Sequence, residues 1–453
     1  MANYWEKHDT YKQNSEWSGK RFYRVMGGQW AKHDAVVSVV EAEPLPTNYL
    51  TFSSAEAFTI ATNNATKNWD GTLEYSTDAS AWNVWDGTTT ISADSGELHL
   101  RGTGNTIIGG SSNSYRWLLN GNNIACTGNA ESLLDYTAVA NGEHPTMADY
   151  CYAYMFYDCT SLVTAPALPA TILAKRCYSC MFYRCTSLVT APELPATTLE
   201  SYCYHSMFDG CTSLVTAPEL PATTLKDNCY YLMFRSCTSL VAAPALPAIT
   251  LESYCYYSMF KGCTSLVTAP ALPATTLAER CYYSLFDGCT NLVTAPELPA
   301  TTLESYCYHS MFDGCTSLVT APELPATTLA FCCYNIMFYG CTSLVTAPAL
   351  PATTLKSTCY KKMFYGCTAL TTVPALPAAT LTNNCYQQMF YGCKSIKLSK
   401  TQSGTYTNEY RIPTSGTGTT STDALKEMFT STGGSFTGTP TINTTYYTSN
   451  TVV

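Results

Sequence analysis

The chain has 453 residues, a formal net charge of -9 and a charged fraction of only 13%. With so few cationic side chains it offers no basic surface that could neutralise a phosphate backbone, and we expect no nucleic-acid partner. The sequence contains no window of about 18 apolar residues and does not start with a signal-like apolar segment, so we expect neither membrane insertion nor export by a signal of its own.

Residues 1–45 form the first segment, which is rich in aromatic side chains and too short to bury a core of its own. Trp and Tyr dominate the energetics of protein interfaces, so this density indicates an arm that docks onto another protein. The alternative is an irregular arm packed on the next domain. The predicted docking residues are Tyr4, Trp5, Tyr11, Trp17, Phe22, Tyr23 and Trp30.

Residues 46–128 contain short alternating runs separated by turn dipeptides such as Asp70-Gly71 and Asn120-Gly121. This spacing predicts a small all-β sandwich. The predicted strands are 49–52, 57–61, 72–77, 82–85, 88–92, 97–101 and 115–119. Residues 129–150 then lead into the next region and are predicted to cap its apolar end.

From residue 151 to residue 400 the sequence repeats with a period of 26 residues. Residues 200–225 recur letter for letter at 304–329, which is four periods later. A fixed period of this length is typical of a solenoid, in which each unit buries its apolar face only against its neighbours. We interpret the ten copies as a single body.

Most of the 23 cysteines of the chain fall in two columns of these repeats, one pair per copy. Stacking would place like residues about 4.8 Å apart, within reach of a disulfide bond. Bridging would nevertheless require neighbouring repeats to pair two by two, whereas the repeats are uniform. We therefore favour reduced, buried thiols that act as small hydrophobic side chains, with disulfide bonds as the alternative.

Within one repeat, residues 197–209 are predicted to form a helix that ends at Gly210. Thr197 and Glu200 have the spacing of a capping box. Three apolar residues at intervals of four fall on one helical face, namely Leu199, Cys203 and Met207.

Residues 211–218 predict a short strand that is closed by proline. Alternation would point Leu214 and Thr216 inward and Val215 and Ala217 outward. Each repeat is thus expected to combine one strand with one helix.

The repeats resemble the BspA-type leucine-rich repeats of bacterial surface proteins and of phages that infect gut bacteria. The resemblance is carried by the frame MFDGCTSL at residues 207–214 and covers residues 150–400. It implies a curved, right-handed solenoid with a strand-lined concave face and a role in adhesion or attachment. The predicted fold class is therefore a leucine-rich-repeat solenoid of the α/β type, preceded by the small all-β sandwich. The unit is longer than is common in that family, and Thr216 stands where leucine is more typical.

Residues 401–453 depart from the repeat and are rich in Thr, Ser and Gly. The segment DALKEMF at 423–429 resembles the Met-Phe part of the repeat once more. We interpret residues 401–453 as an atypical capping repeat and tail.

The sequence shows no arrangement of residues typical of a catalytic or metal site. Cys177 and Cys180 form a lone C-x-x-C without a second pair or a histidine beside it. His205 and His309 are four repeats apart, about 20 Å by strand spacing, and cannot share a metal. We therefore expect no enzyme activity, no catalytic residue, no metal ligand and no cofactor.

The outward strand position forms an apolar stripe, which is typical of a partner-binding interface. The alternative is a strand face that flanking turns cover or that merely tolerates small apolar residues. The variable columns of the predicted helix are expected to be its solvated face. The stripe consists of Val163, Val189, Val215, Val241, Val267, Val293, Val319 and Val345.

These observations predict a phage virion component, such as a tail or head fibre or a decoration protein, that displays the solenoid for adhesion to a host surface protein or glycan. Residues 1–45 would bind other virion proteins, and the chain is expected to form homo-oligomers. One alternative is a bacterial cell-surface adhesin. The other is a purely structural virion shell protein.

Overall fold

The computed structural model describes residues 22–26, 29–33, 49–63, 67–94 and 96–453. The chain divides into two compact units, Met1–Pro46 and Thr47–Val453. In the first unit, strands β1 (Phe22–Met26) and β2 (Gln29–His33) pair antiparallel. This hairpin contains the predicted docking residues Phe22, Tyr23 and Trp30. The other predicted docking residues lie outside the described residues, namely Tyr4, Trp5, Tyr11 and Trp17.

The second unit begins with a β-sandwich. Its strands are β3 (Leu50–Ser53), β4 (Phe58–Thr62), β5 (Thr72–Ser76), β6 (Asn83–Trp85), β7 (Ile91–Ala93), β8 (Glu97–Thr103), β9 (Trp117–Asn120) and β10 (Ile124–Thr127). One sheet includes the order β10-β3-β8-β5-β6, and the other has the order β7-β4-β9. All seven strands predicted from alternation overlap observed strands, and β10 is an additional one.

Alternating side chains of the two sheets meet in one core. β4, for example, buries Phe58 and Ile60 and leaves the residues between them partly exposed. Trp117 of the smaller sheet lies with its ring centroid 5.4 Å from that of Trp85 in the larger sheet. The period-2 pattern therefore describes this region correctly.

The sandwich continues directly into the repeats. Strand β11 (Leu162–Thr164) of the first repeat pairs parallel with β10 and extends the larger sheet to six strands. Helix α1 (Ser132–Ala140), which is interrupted by the extended backbone of Asp135, lies between them in the chain. Phe156 of the first repeat packs against Trp117, with 6.0 Å between the ring centroids. The core of the sandwich thus continues into the core of the first repeat and covers the N-terminal end of the stack of repeats.

The predicted helix at residues 197–209 is wrong. Tyr202, Tyr204 and Ser206 have φ values of 63°, 59° and 51°, which a right-handed helix excludes. The segment is a run of turns, and none of the described repeats between residues 151 and 393 contains an α-helix. Apolar residues at intervals of four match a helix and these turns equally well, so the pattern could not separate the two.

Hydrogen bonds between repeats explain the unusual backbone. Met207 N–H donates to the carbonyl of Tyr204 inside the repeat, at 3.3 Å. The next N–H, that of Phe208, donates at 2.9 Å to Met233 in the following repeat. Each left-handed residue costs free energy, and the bond to the neighbouring repeat offsets that cost.

The predicted strand at 211–218 is reduced to one bridging residue per repeat. Thr190, Thr216 and Ala242 follow one another in a parallel ladder of single bridges. Leu214 is buried as expected, but Thr216 is exposed and Ala217 packs against the core, which reverses the prediction for both. Alternation does not persist because the extended backbone is too short to sustain it.

The interior consists of side-chain ladders that run the length of the stack. Phenylalanines from Phe156 to Phe390 stack with centroids 5.5–5.8 Å apart, one from each repeat. At the far end Phe429 adds a last ring, 5.3 Å from Phe390. The segment 423–429 thus continues the interior of the repeats.

The C-terminal residues form short strands on the last repeats. They are β12 (Thr372–Val373), β13 (Leu398–Ser399), β14 (Asn408–Arg411), β15 (Thr445–Thr448) and β16 (Thr451–Val452). β16 pairs parallel with β12, and β15 lies between β13 and β14. The buried Asn450 donates to the carbonyls of Thr371 and Ser395, at 2.8 and 3.0 Å, and so fastens the C-terminal segment to two repeats.

Candidate interaction surfaces

The valine stripe is an exposed column that follows a hydrogen-bonded backbone ladder. Val215 N–H donates to the carbonyl of Val189 at 3.2 Å, and Val319 N–H donates to Val293 at 3.3 Å. Seven of the eight predicted valines leave 40–49% of their surface exposed, namely Val189, Val215, Val241, Val267, Val293, Val319 and Val345. Val163, next to the sandwich, is half-buried.

The second column of this surface is threonine. Thr216 and its equivalents are exposed beside the valines, whereas the alanines that were expected there turn toward the core. This surface is therefore amphipathic, with valine methyl and threonine hydroxyl groups side by side in every repeat of the stripe but one, where Ala242 replaces the threonine. The valine stripe denotes the eight valines alone.

The variable face, which was expected to be simply solvated, carries an aromatic ladder. Consecutive ring centroids are 4.4–4.8 Å apart and nearly parallel. Two of the rings belong to His205 and His309. Burial lowers the pKa of both histidines to about 4, so their rings are neutral at physiological pH. The ladder consists of His205, Tyr231, Tyr257, Tyr283 and His309. In the sequence it is visible only when residues at the same position of successive repeats are compared.

Two arginines lie between tyrosines along the edge of this ladder. The guanidinium of Arg176 is 4.0 Å from the ring centroid of Tyr202, and that of Arg280 is 4.6 Å from Tyr306. Phe331, which is 42% exposed, packs edge-on against Tyr306. Tyr and Arg are the residues most enriched at interface hot spots, so the composition of this face differs from that of a merely solvated one.

A neighbouring column carries charges that are only partly matched. Arg235 pairs with Asp209 at 2.6 Å, and Lys261 pairs with Asp287 at 2.6 Å. Asp313 follows Asp287 in the stack. Burial, together with the Asp287 carboxylate, raises the pKa of Asp313 to about 7.

A shallow groove of about 400 Å³ runs along the proline turns of two consecutive repeats. Nothing in the sequence pattern predicted that these residues would meet. Its lining side chains are apolar apart from two carboxylates, so it would favour a cationic ligand over an anionic one. It is lined by Pro296, Glu297, Pro299, Pro322, Glu323 and Pro325.

All 23 cysteines are buried and unpaired in the structure. In one column, which runs at intervals of 26 residues from Cys185 to Cys393, each of the nine thiols donates to a phenylalanine carbonyl of the preceding repeat, for example Cys263 to Phe234 at 3.0 Å. Burial raises the pKa of Cys263 to about 12, so the thiol keeps the proton that this bond requires. These cysteines are structural donors, and the disulfide alternative does not match this arrangement.

Among the described residues, no group of three or more His, Cys, Asp or Glu side chains is arranged to hold a metal ion. Cys180 lies 4.0 Å from His205, but both belong to the aromatic face and have no further ligand beside them. No helix in the described part of the chain is long and apolar enough to cross a membrane.

Comparison with known proteins identifies the repeats. A family model described as the BspA type leucine rich repeat region matches in six copies, over residues 134–267, 279–415 and 309–443. No curated protein matches the chain, and no solved structure does. Repeats of this family suggest a role in surface adhesion or protein binding. Because the matched segments cover more than half of the chain, the protein belongs to the BspA-type leucine-rich repeat family.

Proposed function

We propose that this protein is a non-enzymatic attachment protein of a phage virion, either a tail or head fibre or a decoration protein. Its solenoid would adhere to a protein or glycan on the host surface. The observation that carries the proposal is the valine stripe, which is exposed over seven consecutive repeats. An exposed column of valines of this length is unusual on a protein that acts alone.

The proposal assigns different roles to different parts of the chain. Residues 1–45 bind other virion proteins through their aromatic side chains. The valine stripe forms an assembly contact, with another copy of the chain or with a neighbouring virion protein. The variable aromatic face contacts the host, because in a repeat protein the columns that change between copies can be adapted without disturbing the buried frame.

Two alternatives place the same solenoid elsewhere. In the first, the protein is an adhesin on a bacterial cell surface. In the second, it is a structural shell protein whose repeats stabilise the particle without contacting a host. Mass spectrometry and imaging of purified phage particles separate the first alternative from the proposal. A comparison of how particles with and without this protein bind to host cells separates the second alternative from the proposal.

The docking role has its own test. Deleting residues 1–45 should release the protein from purified particles while residues 47–453 keep their fold. Retention of the shortened chain in the particles would contradict the role of this segment.

The valine stripe is tested by charge. Changing Val215, Val241 and Val267 to Asp places three carboxylates on the stripe without touching the core. We expect the affinity for another copy of the chain or for a partner protein to fall at least about 100-fold. The matched control reverses charges at exposed positions of the same repeats, with Glu200→Lys, Lys226→Glu and Glu252→Lys. Analytical ultracentrifugation and particle incorporation are measured for both variants, and unchanged assembly of the valine variant would exclude the stripe as a contact.

A further inference from the structure

A second ladder, made of tyrosines, runs through the interior. Each repeat contributes one ring, and consecutive centroids are 5.5–5.9 Å apart with planes within 12° of parallel. All ten side chains are buried. The tyrosine ladder consists of Tyr152, Tyr178, Tyr204, Tyr230, Tyr256, Tyr282, Tyr308, Tyr334, Tyr360 and Tyr386.

Five of the ten hydroxyls in this ladder are buried without a protein partner. In the described part of the chain, no group lies within hydrogen-bonding distance of the buried hydroxyls of Tyr178, Tyr204, Tyr230, Tyr256 and Tyr308. Leaving a buried hydroxyl unpaired costs about as much as losing a hydrogen bond, and five of them together would rival the whole stability of an ordinary domain. The hydroxyls therefore need partners that the protein chain does not supply.

The spacing of the ladder identifies the partner. Two hydroxyls that recur with the rings, about 5.7 Å apart, are too far from each other for a direct bond, which requires 2.5–3.0 Å. Half of that spacing is about 2.9 Å, an ordinary distance from a hydroxyl oxygen to a water oxygen. One water molecule between each pair of consecutive hydroxyls would thus bond to both.

We propose that the tyrosine ladder from Tyr152 to Tyr256 binds a single file of water molecules, one between each pair of neighbouring repeats. Each water has two tyrosine hydroxyls as partners, and a buried water typically makes two to four hydrogen bonds. The file ends on the protein at one side, because the Tyr152 hydroxyl donates to the carbonyl of Ala130 at 2.8 Å. It links each of these repeats to the next through side chains, in addition to the backbone bonds.

The chemistry of the column suits this role. Burial raises the pKa of the Tyr204 and Tyr230 hydroxyls well above the ordinary value, so they stay protonated and can both donate and accept. A polar column of buried hydroxyls is the kind of space that binds water, whereas an apolar cavity stays dry.

The sign of a stability change tests the proposal. Changing Tyr204, Tyr230 and Tyr256 to Phe keeps the stacked rings but removes three consecutive links of the file. If water is bound, the Tm falls by about 3–6 °C because the waters lose their partners. If no water binds the hydroxyls, their removal eliminates buried polar groups that have no hydrogen-bond partner. The Tm then rises, and this result would overturn the proposal.

Two controls and one direct observation accompany this variant. Tyr257→Phe changes a half-exposed hydroxyl of the surface ladder and should leave the Tm within 1 °C or so. Tyr152→Phe removes a known protein bond and should lower the Tm whether or not water is present. A high-resolution crystal structure should then show one water peak between consecutive hydroxyls, about 2.8–3.2 Å from each. Clear density for the tyrosines without such peaks would refute the file even if the Tm had fallen.

Discussion

The sandwich (residues 50–127) and the repeats (residues 151–393) satisfy their backbone hydrogen bonds in different ways. Strands of the sandwich pair along several residues, as β5 does with β8 from Thr72 to Ser76. Repeats meet through single bridges and through turns in which alternate N–H groups reach the next repeat. A strand of the sandwich uses common backbone conformations, whereas a repeat takes left-handed ones that only its neighbours make favourable. Stability in the repeats is therefore expected to be local and strongly dependent on adjacent copies.

Truncating the phenylalanine ladder should have the largest effect. Phe260 is fully buried and stacks on Phe234 and Phe286, 5.8 Å away on both sides. We expect Phe260→Ala to cost about 3–5 kcal/mol. Because each repeat contacts only its neighbours, hydrogen exchange should accelerate in the repeats around residue 260 and remain unchanged in the sandwich. Faster exchange throughout residues 50–127 would show that the two regions unfold as one unit.

The control for this variant lies in the same repeat. Val267→Ala shortens a side chain of the exposed stripe and should change the free energy of unfolding by about 0.5 kcal/mol or less. A larger cost would mean that the stripe is covered in the free protein.

The left-handed backbone is tested by two adjacent lysines. Lys362 has a φ of 55°, whereas Lys361 lies outside the left-handed region. Lys362→Gly should stabilise the protein by up to about 1 kcal/mol because glycine adopts positive φ without strain. Lys361→Gly should instead destabilise it by about 0.5–1 kcal/mol through the greater entropy of the unfolded chain. Urea denaturation of both variants measures the difference, and destabilisation by both would favour a helix.

The smallest effect concerns pH. The pKa of Asp313 is raised to about 7, so the folded protein holds this proton more tightly than the unfolded chain does. Asp313 therefore costs no stability below about pH 4 and an increasing amount as the pH rises toward 7. Asp313→Asn should raise the Tm by about 1–3 °C at pH 8 and leave it unchanged near pH 4.

An exposed aspartate supplies the comparison for this pH profile. Asp227→Asn changes a carboxylate at the surface of a nearby repeat and should change the Tm by about 1 °C or less at pH 8. If Asp313→Asn behaves in the same way, the carboxyl group is not perturbed by its neighbours.

The parts of the fold that depend on short-range patterns were predictable. Alternation located seven strands of the sandwich, and the apolar columns of the repeat gave its buried residues, including Leu214, Cys211 and Phe208. The exposure of the valines followed from the same pattern. Alternation failed at Thr216 and Ala217, because one bridging residue per repeat is too short to sustain it.

The candidate surfaces were predictable only in part. The valine stripe could be expected because it repeats without change. The aromatic ladder was missed because its members, among them His205, Tyr231 and Tyr257, belong to columns that vary, and variation was interpreted as solvation. Their stacking at 4.7–4.8 Å depends on the register between repeats.

By itself the sequence determined the period of 26 residues, the number of copies and the side chains that each copy buries. The tertiary structure alone decided the backbone that connects them. A helix satisfies its hydrogen bonds within one segment, and local patterns can predict it. The turns of this protein send alternate N–H groups to the next repeat, so their left-handed conformations are favourable only when the neighbouring copy is already in place.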